Sequence, residues 1–127
     1  MTKQIDNINK KINDLENIHK KEPNNITIII NLANAYIESG NFELALKFTK
    51  LASKYSPENM GIDFTLSNLI DYSENETHQK IMLEKSENSF LKEEDKIPLY
   101  FALGKSFNDQ KNYSKSFYFY SLGNKIK

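Results

Sequence analysis

Residues 31–52, NLANAYIESGNFELALKFTKLA, are answered by residues 102–123, ALGKSFNDQKNYSKSFYFYSLG, at a constant interval of 71. Leu32, Ala33, Tyr36, Phe42, Ala45 and Ala52 return in kind as Leu103, Gly104, Phe107, Tyr113, Ser116 and Gly123. Each copy has a large residue followed by a small one and an aromatic one turn on. A turn follows, at Gly40-Asn41 or Lys111-Asn112, and then an aromatic and two small residues seven apart. Large and small side chains at these spacings describe two antiparallel helices whose backbones approach closely. An interval of 71 is two periods of about 34 with three residues inserted, so a middle copy is expected between the two.

Outward from these copies, Glu22-Pro23-Asn24-Asn25 stops one helix and caps the next. The first copy then reads as a helix over 26–39 ending at Gly40, and a second over 42–55 stopping before Ser56-Pro57. The middle copy starts near Met60, with Leu66, Ser67 and Ile70 in the places of Leu32, Ala33 and Tyr36. It then decays. Glu76 and Gln79 stand where Phe42 and Ala45 would be, so the helix around Thr77 to Lys85 must pack through Ile81, Met82 or Leu83. Ser86 to Lys92 reads as a loop, and Asp95 as an N-cap that puts Pro98 in the first turn of the last hairpin. Ahead of the repeats, Ile5, Ile8, Ile12, Leu15 and Ile18 line one face of a helix. The stripe is too short for a stable coiled-coil seam and is expected to pack on the following repeat. The organisation is thus an N-terminal amphipathic helix over 1–22 and a repeat domain over 23–127, with repeats at about 26–57, 60–96 and 97–127.

Composition narrows the function. The 127 residues suit one domain, and 17 Lys balance 17 acidic residues, so no net field recruits nucleic acid or an anionic membrane. Every basic residue is Lys; the planar Arg fork that grips phosphates and carboxylates is absent. With no Cys there is no disulfide, thiolate nucleophile or Cys-based zinc site, which suits the cytoplasm. The first twenty residues hold no apolar run able to act as a signal peptide, and Ile28 to Ile30 is far too short to span a bilayer. The wealth of Asn, Ile and Lys points to an AT-rich genome.

The recurring residues resemble the tetratricopeptide repeat family over 25–127, most closely in the first and third copies. Ile29 and Tyr100 stand where the family often has Trp, Thr49 replaces a usual aromatic, and Lys111 replaces the usual Gly between helices. The resemblance implies an all-α, right-handed α-solenoid of about three helical hairpins with an additional N-terminal helix. It implies a non-catalytic, cytoplasmic protein-interaction scaffold that presents a concave groove to a peptide or partner domain. A narrower likeness lies in Phe101-Ala102-Leu103-Gly104-Lys105, Asp109, Tyr113 and Gly123-Asn124, with Glu93-Glu94-Asp95 upstream. This segment is similar to the repeats that precede a sulfotransferase domain in certain bacterial fusion proteins. The alternative it implies is an accessory portion of such an enzyme, whose phosphosulfate-binding loop this sequence lacks.

No catalytic, cofactor or metal site is expected. His19 and His78 lack the spacing that puts two ligands on one helix face and read as surface residues. The carboxylates are scattered over polar faces, and Leu103-Gly104-Lys105-Ser106 lacks the upstream glycine of a phosphate loop. A groove is the better candidate. Its rows are Ile30, Phe64 and Phe101, then Asn34, Asn68 and Lys105, with Glu38, Tyr72 and Asp109 at its margin. Asn offers a donor and an acceptor to an extended peptide, and Lys105 a cation to a carboxylate. In the last helix Tyr113, Phe117 and Tyr120 share a face expected to be core. Tyr118 and Phe119 then form a second apolar side, a stacking surface for self-association or a further domain. The expected partner is therefore protein or peptide, not nucleic acid or membrane.

Overall fold

The computed structural model describes residues 2–127, and for Thr2 the backbone alone. Seven helices and no strand occur among the described residues: α1 Thr2–Lys21, α2 Ile26–Ser39, α3 Phe42–Tyr55, α4 Met60–Leu69, α5 Thr77–Ser86, α6 Glu93–Asp109 and α7 Tyr113–Ile126. They form two compact units, one ending at Pro57 and the other spanning Glu58–Lys127.

In the first unit α2 packs on both α1 and α3. Its core holds Leu15, Ile29, Leu32, Ala33, Ala35, Tyr36, Ala45, Phe48 and Ala52. Tyr36 and Phe48 stack with ring centroids 5.7 Å apart, and His19 meets Phe48 edge-on at 5.5 Å. Of the isoleucine stripe, Leu15 is buried and Ile8 and Ile12 half-buried, while Ile5 and Ile18 stay exposed. Length explains part of this, because α1 has 20 residues and α2 only 14.

The interval of 71 recurs in the backbone itself. Gly40 N–H donates to Ile37 O at 3.0 Å and Asn41 N–H to Tyr36 O at 2.9 Å; Lys111 N–H donates to Asn108 O at 3.0 Å and Asn112 N–H to Phe107 O at 2.9 Å. Both helices thus end in the same left-handed C-terminal motif. Asn41 and Asn112 then accept, through Oδ1, from the Leu44 and Lys115 N–H groups. Asn25 and Asn59 cap α2 and α4 in the same way, so four of the many asparagines are helix starts.

Gly40 has φ 82° and Lys111 has φ 60°, a region costly for a side chain with a Cβ. Lys111→Gly is therefore expected to raise unfolding stability by a few tenths to about 1 kcal/mol. A fall in the urea midpoint on that substitution would contradict the account.

The small residues of the motif sit where two helices meet. Ala33 and Ala45 are buried in the first hairpin, Gly104 and Ser116 in the last. A Cβ at Gly104 would lie 2.8 Å from the Tyr120 ring, and Ser116 Oγ donates to Gly104 O at 2.8 Å. In the first hairpin, Ala45→Leu is expected to overpack the α2–α3 contact and cost about 1–3 kcal/mol; unchanged thermal and urea unfolding would speak against so tight a hairpin.

In the second unit α6 is central, with α4, α5 and α7 packed on it. Met60, Tyr72, Met82, Leu99, Ala102, Leu103 and Phe107 form its core. Helix α6 starts at Glu93, earlier than an Asp95 cap requires, and Pro98 lies inside it. Glu93, Glu94 and Asp95 fill the first turn, where their charges complement the helix dipole. Pro98 then removes only the hydrogen bond to the carbonyl of exposed Glu94.

Helix α7 differs from its expected orientation. Tyr113 is 63 % and Phe117 74 % exposed, so they are not core residues. The buried residues of α7 are Ser116 and Gly123, with Phe119 and Tyr120 half-buried beside them. Phe119 stacks on Phe107 at 5.7 Å and so leaves the open side on which it was expected beside Tyr118. Close approach to α6 demands small residues at the contact, and that requirement outweighs the burial of two rings.

Candidate functional site

The candidate groove residues are carried by α2 in one unit and by α4 and α6 in the other. On α2, Asn34 is exposed and Ile30 half-buried one turn before it. On α4, Phe64 and Asn68 are both exposed. On α6, Phe101 and Lys105 are half-buried. The Phe101 ring stands 6.0 Å from Tyr120, with Lys127 Nζ 5.8 Å from its centroid. Gly123 leaves room for this ring, since a Cβ there would come within 3.3 Å of it.

Lys105 has work inside the fold. Its Nζ donates to Ile70 O at 2.6 Å and to Asp109 Oδ2 at 2.5 Å, and it lies 5.4 Å from the Tyr72 ring centroid. Asp109 Oδ2 also accepts from Tyr72 N–H at 3.2 Å, and Gln110 Nε2 donates to Tyr72 O at 3.3 Å. Three α6-side residues thus hold the chain at 70–72, which explains why α4 stops at Leu69, short of the length of α2. Tyr72 is fully buried, not a groove-margin residue, and Asp109 is engaged beneath it; Glu38 alone of the three margin residues is exposed.

Next to this loop lies a polar string that the sequence reading missed. Tyr72 Oη and His78 Nδ1 are 2.6 Å apart, His78 Nε2 and Asp63 Oδ1 2.8 Å, and Lys85 Nζ donates to Asp63 Oδ2 at 2.7 Å. His78 is therefore not a surface residue: its side chain is 14 % exposed and both ring nitrogens are bonded. The neutral ring with its proton on Nε2 satisfies both contacts, accepting from the tyrosine and donating to the carboxylate. Gln79 and Gln110 exchange amide hydrogen bonds at 2.9 and 3.0 Å, and Gln79 also donates to Ser106 Oγ. Gln79, at the place of Ala45 in the first copy, thus enters the core by bringing its own polar partners.

An Asp, a His and a Tyr in line resemble an acid–base relay, but the chemistry does not follow. Tyr72 is closed off from solvent, and burial, reinforced by the Asp63 and Asp109 charges, pushes its phenol well above the ordinary range. That is the wrong direction for a nucleophile or base. Tyr36 is pushed up to about 12 by burial and by its hydrogen bond to Glu16, a packing effect of the first unit. No group of three or more metal-ligating side chains occurs among the described residues. An open hollow of about 620 Å³ lies in the first unit between the first half of α1 and the end of α2. Gln4, Asn7, Lys11 and Glu38 line it, with the Lys11 and Glu38 charges 4.0 Å apart. Ser39 also lines it, with its hydroxyl donating to Tyr36 O at 3.0 Å.

The signal for the missed string was in the sequence. Asp63 falls between Met60 and Ser67 at helical spacing, on the face that Leu66 also shares. A carboxylate on an apolar face needs partners.

A tetratricopeptide repeat model matches residues 12–60, which cover the second half of α1, α2, α3 and the start of α4. Residues 100–127, on which a likeness to sulfotransferase-linked repeats was expected, lie outside the matched segment. No curated protein matches the chain. No helix among the described residues is long and apolar enough to cross a membrane. The fold is an all-α, tetratricopeptide-like helical repeat, a type typically without catalysis of its own and suited to binding proteins.

Proposed function

We propose that the chain is a cytoplasmic protein-interaction module that binds an extended peptide, or an extended segment of a partner domain, on the exposed faces of α2 in one unit and of α4 in the other. The observation that carries this reading is the pair of exposed asparagines, Asn34 and Asn68, at matching positions of α2 and α4. Each stands one turn after an apolar residue, Ile30 or Phe64. An amide beside an apolar side chain suits a peptide, whose backbone takes the hydrogen bonds and whose side chains take the apolar contact. Phe101 extends the apolar row on α6. Lys105 was expected beside the asparagines, but its substitution would release the loop at Ile70 and so would test folding before binding.

The test is selection from a displayed library of random unstructured peptides on the whole chain, followed by titration against Asn34→Ala and Asn68→Ala. Each substitution removes hydrogen bonds worth about 1 kcal/mol, so affinity for the recovered peptides should fall roughly five- to tenfold. Urea unfolding should not move, because both side chains are exposed. Peptides that bind the two variants as tightly as the unaltered chain would overturn the assignment.

A further inference from the structure

Helix α7 presents a second surface, independent of the asparagine rows. Ser114, Tyr118, Ser121 and Lys125 follow one another along α7 at spacings of four, three and four, so they form one seam, with Lys111 in the turn just ahead of the helix, and every one of them is exposed. Phe117 stands beside the seam, 74 % exposed, and Tyr118 is 57 % exposed. Ser114, Phe117, Tyr118 and Ser121 are the i, i+3, i+4 and i+7 positions that frame a hole for a side chain of a second helix. The two serines allow close approach, and the two rings supply the walls.

The first hairpin is an internal control. At the same interval of 71, α3 has Glu43, Lys47 and Lys50 where α7 has Ser114, Tyr118 and Ser121. The two hairpins share their caps and backbone hydrogen bonds, so the fold does not ask for the change. A helix face that meets only water has no use for two large rings flanked by small residues.

Charge identifies the occupant. From Lys111 to Lys127 there are four lysines and no carboxylate. Lys125 stands in the last turn of α7, and Lys111 in the turn ahead of its first residue, so the two cations flank the seam. We propose that the outer face of α7 docks an acidic amphipathic helix of a partner protein. An apolar side chain of that helix sits in the frame of Ser114, Phe117, Tyr118 and Ser121, and carboxylates near its two ends meet Lys111 and Lys125. A second α7 does not fit, since lysines would face lysines. A nucleic acid would find two separated cations and no Arg, a poor match to a continuous row of phosphates.

The experiment selects from a library of stapled 18-residue helices on the whole chain. Each helix has one fixed central Leu, and the flanking positions vary among Glu, Gln and Lys. Helices that also bind Phe117→Ser/Tyr118→Ser are removed, and that variant should keep the wild-type urea midpoint because both rings are exposed. Recovered helices should carry Glu toward both ends and lose at least tenfold in affinity on Lys111→Glu/Lys125→Glu. They should weaken as salt rises and bind Asn34→Ala/Asn68→Ala unchanged, which separates this surface from the proposed peptide site. Recovery of Lys-rich or neutral helices, or of none specific to the unaltered face, overturns the proposal. So does concentration-dependent self-association that Phe117→Ser/Tyr118→Ser abolishes, or tighter binding of a 20-mer of oligo-dT by the same face.

Discussion

Asp63→Ala is expected to lower the unfolding free energy by about 3 kcal/mol, near the lower end of what removing one member of a buried charge pair costs. The Asp63 side chain is 2 % exposed and bonds both His78 Nε2 and Lys85 Nζ. Without it the imidazole N–H loses its acceptor in a closed site, and the Lys85 ammonium loses its contact with Asp63. Lys85 is 20 % exposed and sits on a long stem, so part of its charge regains water, which keeps the cost from the upper end. Asp63→Asn retains an acceptor for His78 and should cost less. Equilibrium urea unfolding of the two variants measures this directly. A loss below about 1 kcal/mol for Asp63→Ala would mean that the string contributes no more than a surface pair does.

The legible part of the fold was the part the chain writes twice. Gly40 and Lys111, Asn41 and Asn112, Ala45 and Ser116 occupy equivalent positions, so each hairpin could be checked against the other. The bounds of α2 and α3 follow from Asn25, Gly40, Asn41 and Ser56-Pro57, residues that end or begin a helix for local reasons. Orientation about the helix axis was harder. In α7 the aromatic spacing of Tyr113, Phe117 and Tyr120 competes with the small-residue spacing of Ser116 and Gly123, and ring size argued for the wrong face. The first hairpin held the answer, because Ala45 and Ala52 are buried and Phe42 is 58 % exposed. In tightly packed hairpins the small residues mark the contact, and the rings lie where space remains.

Residues between the two clear copies were opaque for a different reason. Their packing relies on pairs that no periodicity announces: Lys105 with Ile70, Asp109 with the Tyr72 backbone, Gln79 with Gln110. Tyr72, two residues beyond Ile70, supplies the buried aromatic of this copy after the helix has already ended. Such contacts join positions about 30 to 40 apart in sequence and depend on the fold being formed. The candidate groove stands between these cases. Its apolar and asparagine positions follow from the repeat, but the partners of Lys105 emerge only from the three-dimensional arrangement.

Helix α5 offers the sharpest stability test of that middle region. Ile81, Met82 and Leu83 were equal candidates for its anchor, and the structure separates them: Met82 is fully buried, Leu83 half-buried and Ile81 44 % exposed. Only Gln79 and Met82 of its ten residues are buried, so Met82, with half-buried Leu83 packed beside it, joins α5 to the core of Leu99, Leu103 and Phe107. Met82→Ala is expected to cost about 2–5 kcal/mol, the range for truncating a large buried side chain. Ile81→Ala should stay within about 0.5 kcal/mol. With so little other apolar contact, α5 should also be the first segment to open. Amide exchange in Met82→Ala should then accelerate across Thr77–Ser86 before it does in Glu93–Asp109. Equal costs for the two substitutions, or exchange that rises uniformly through α6, would show that α5 is held by its polar bonds and not by Met82.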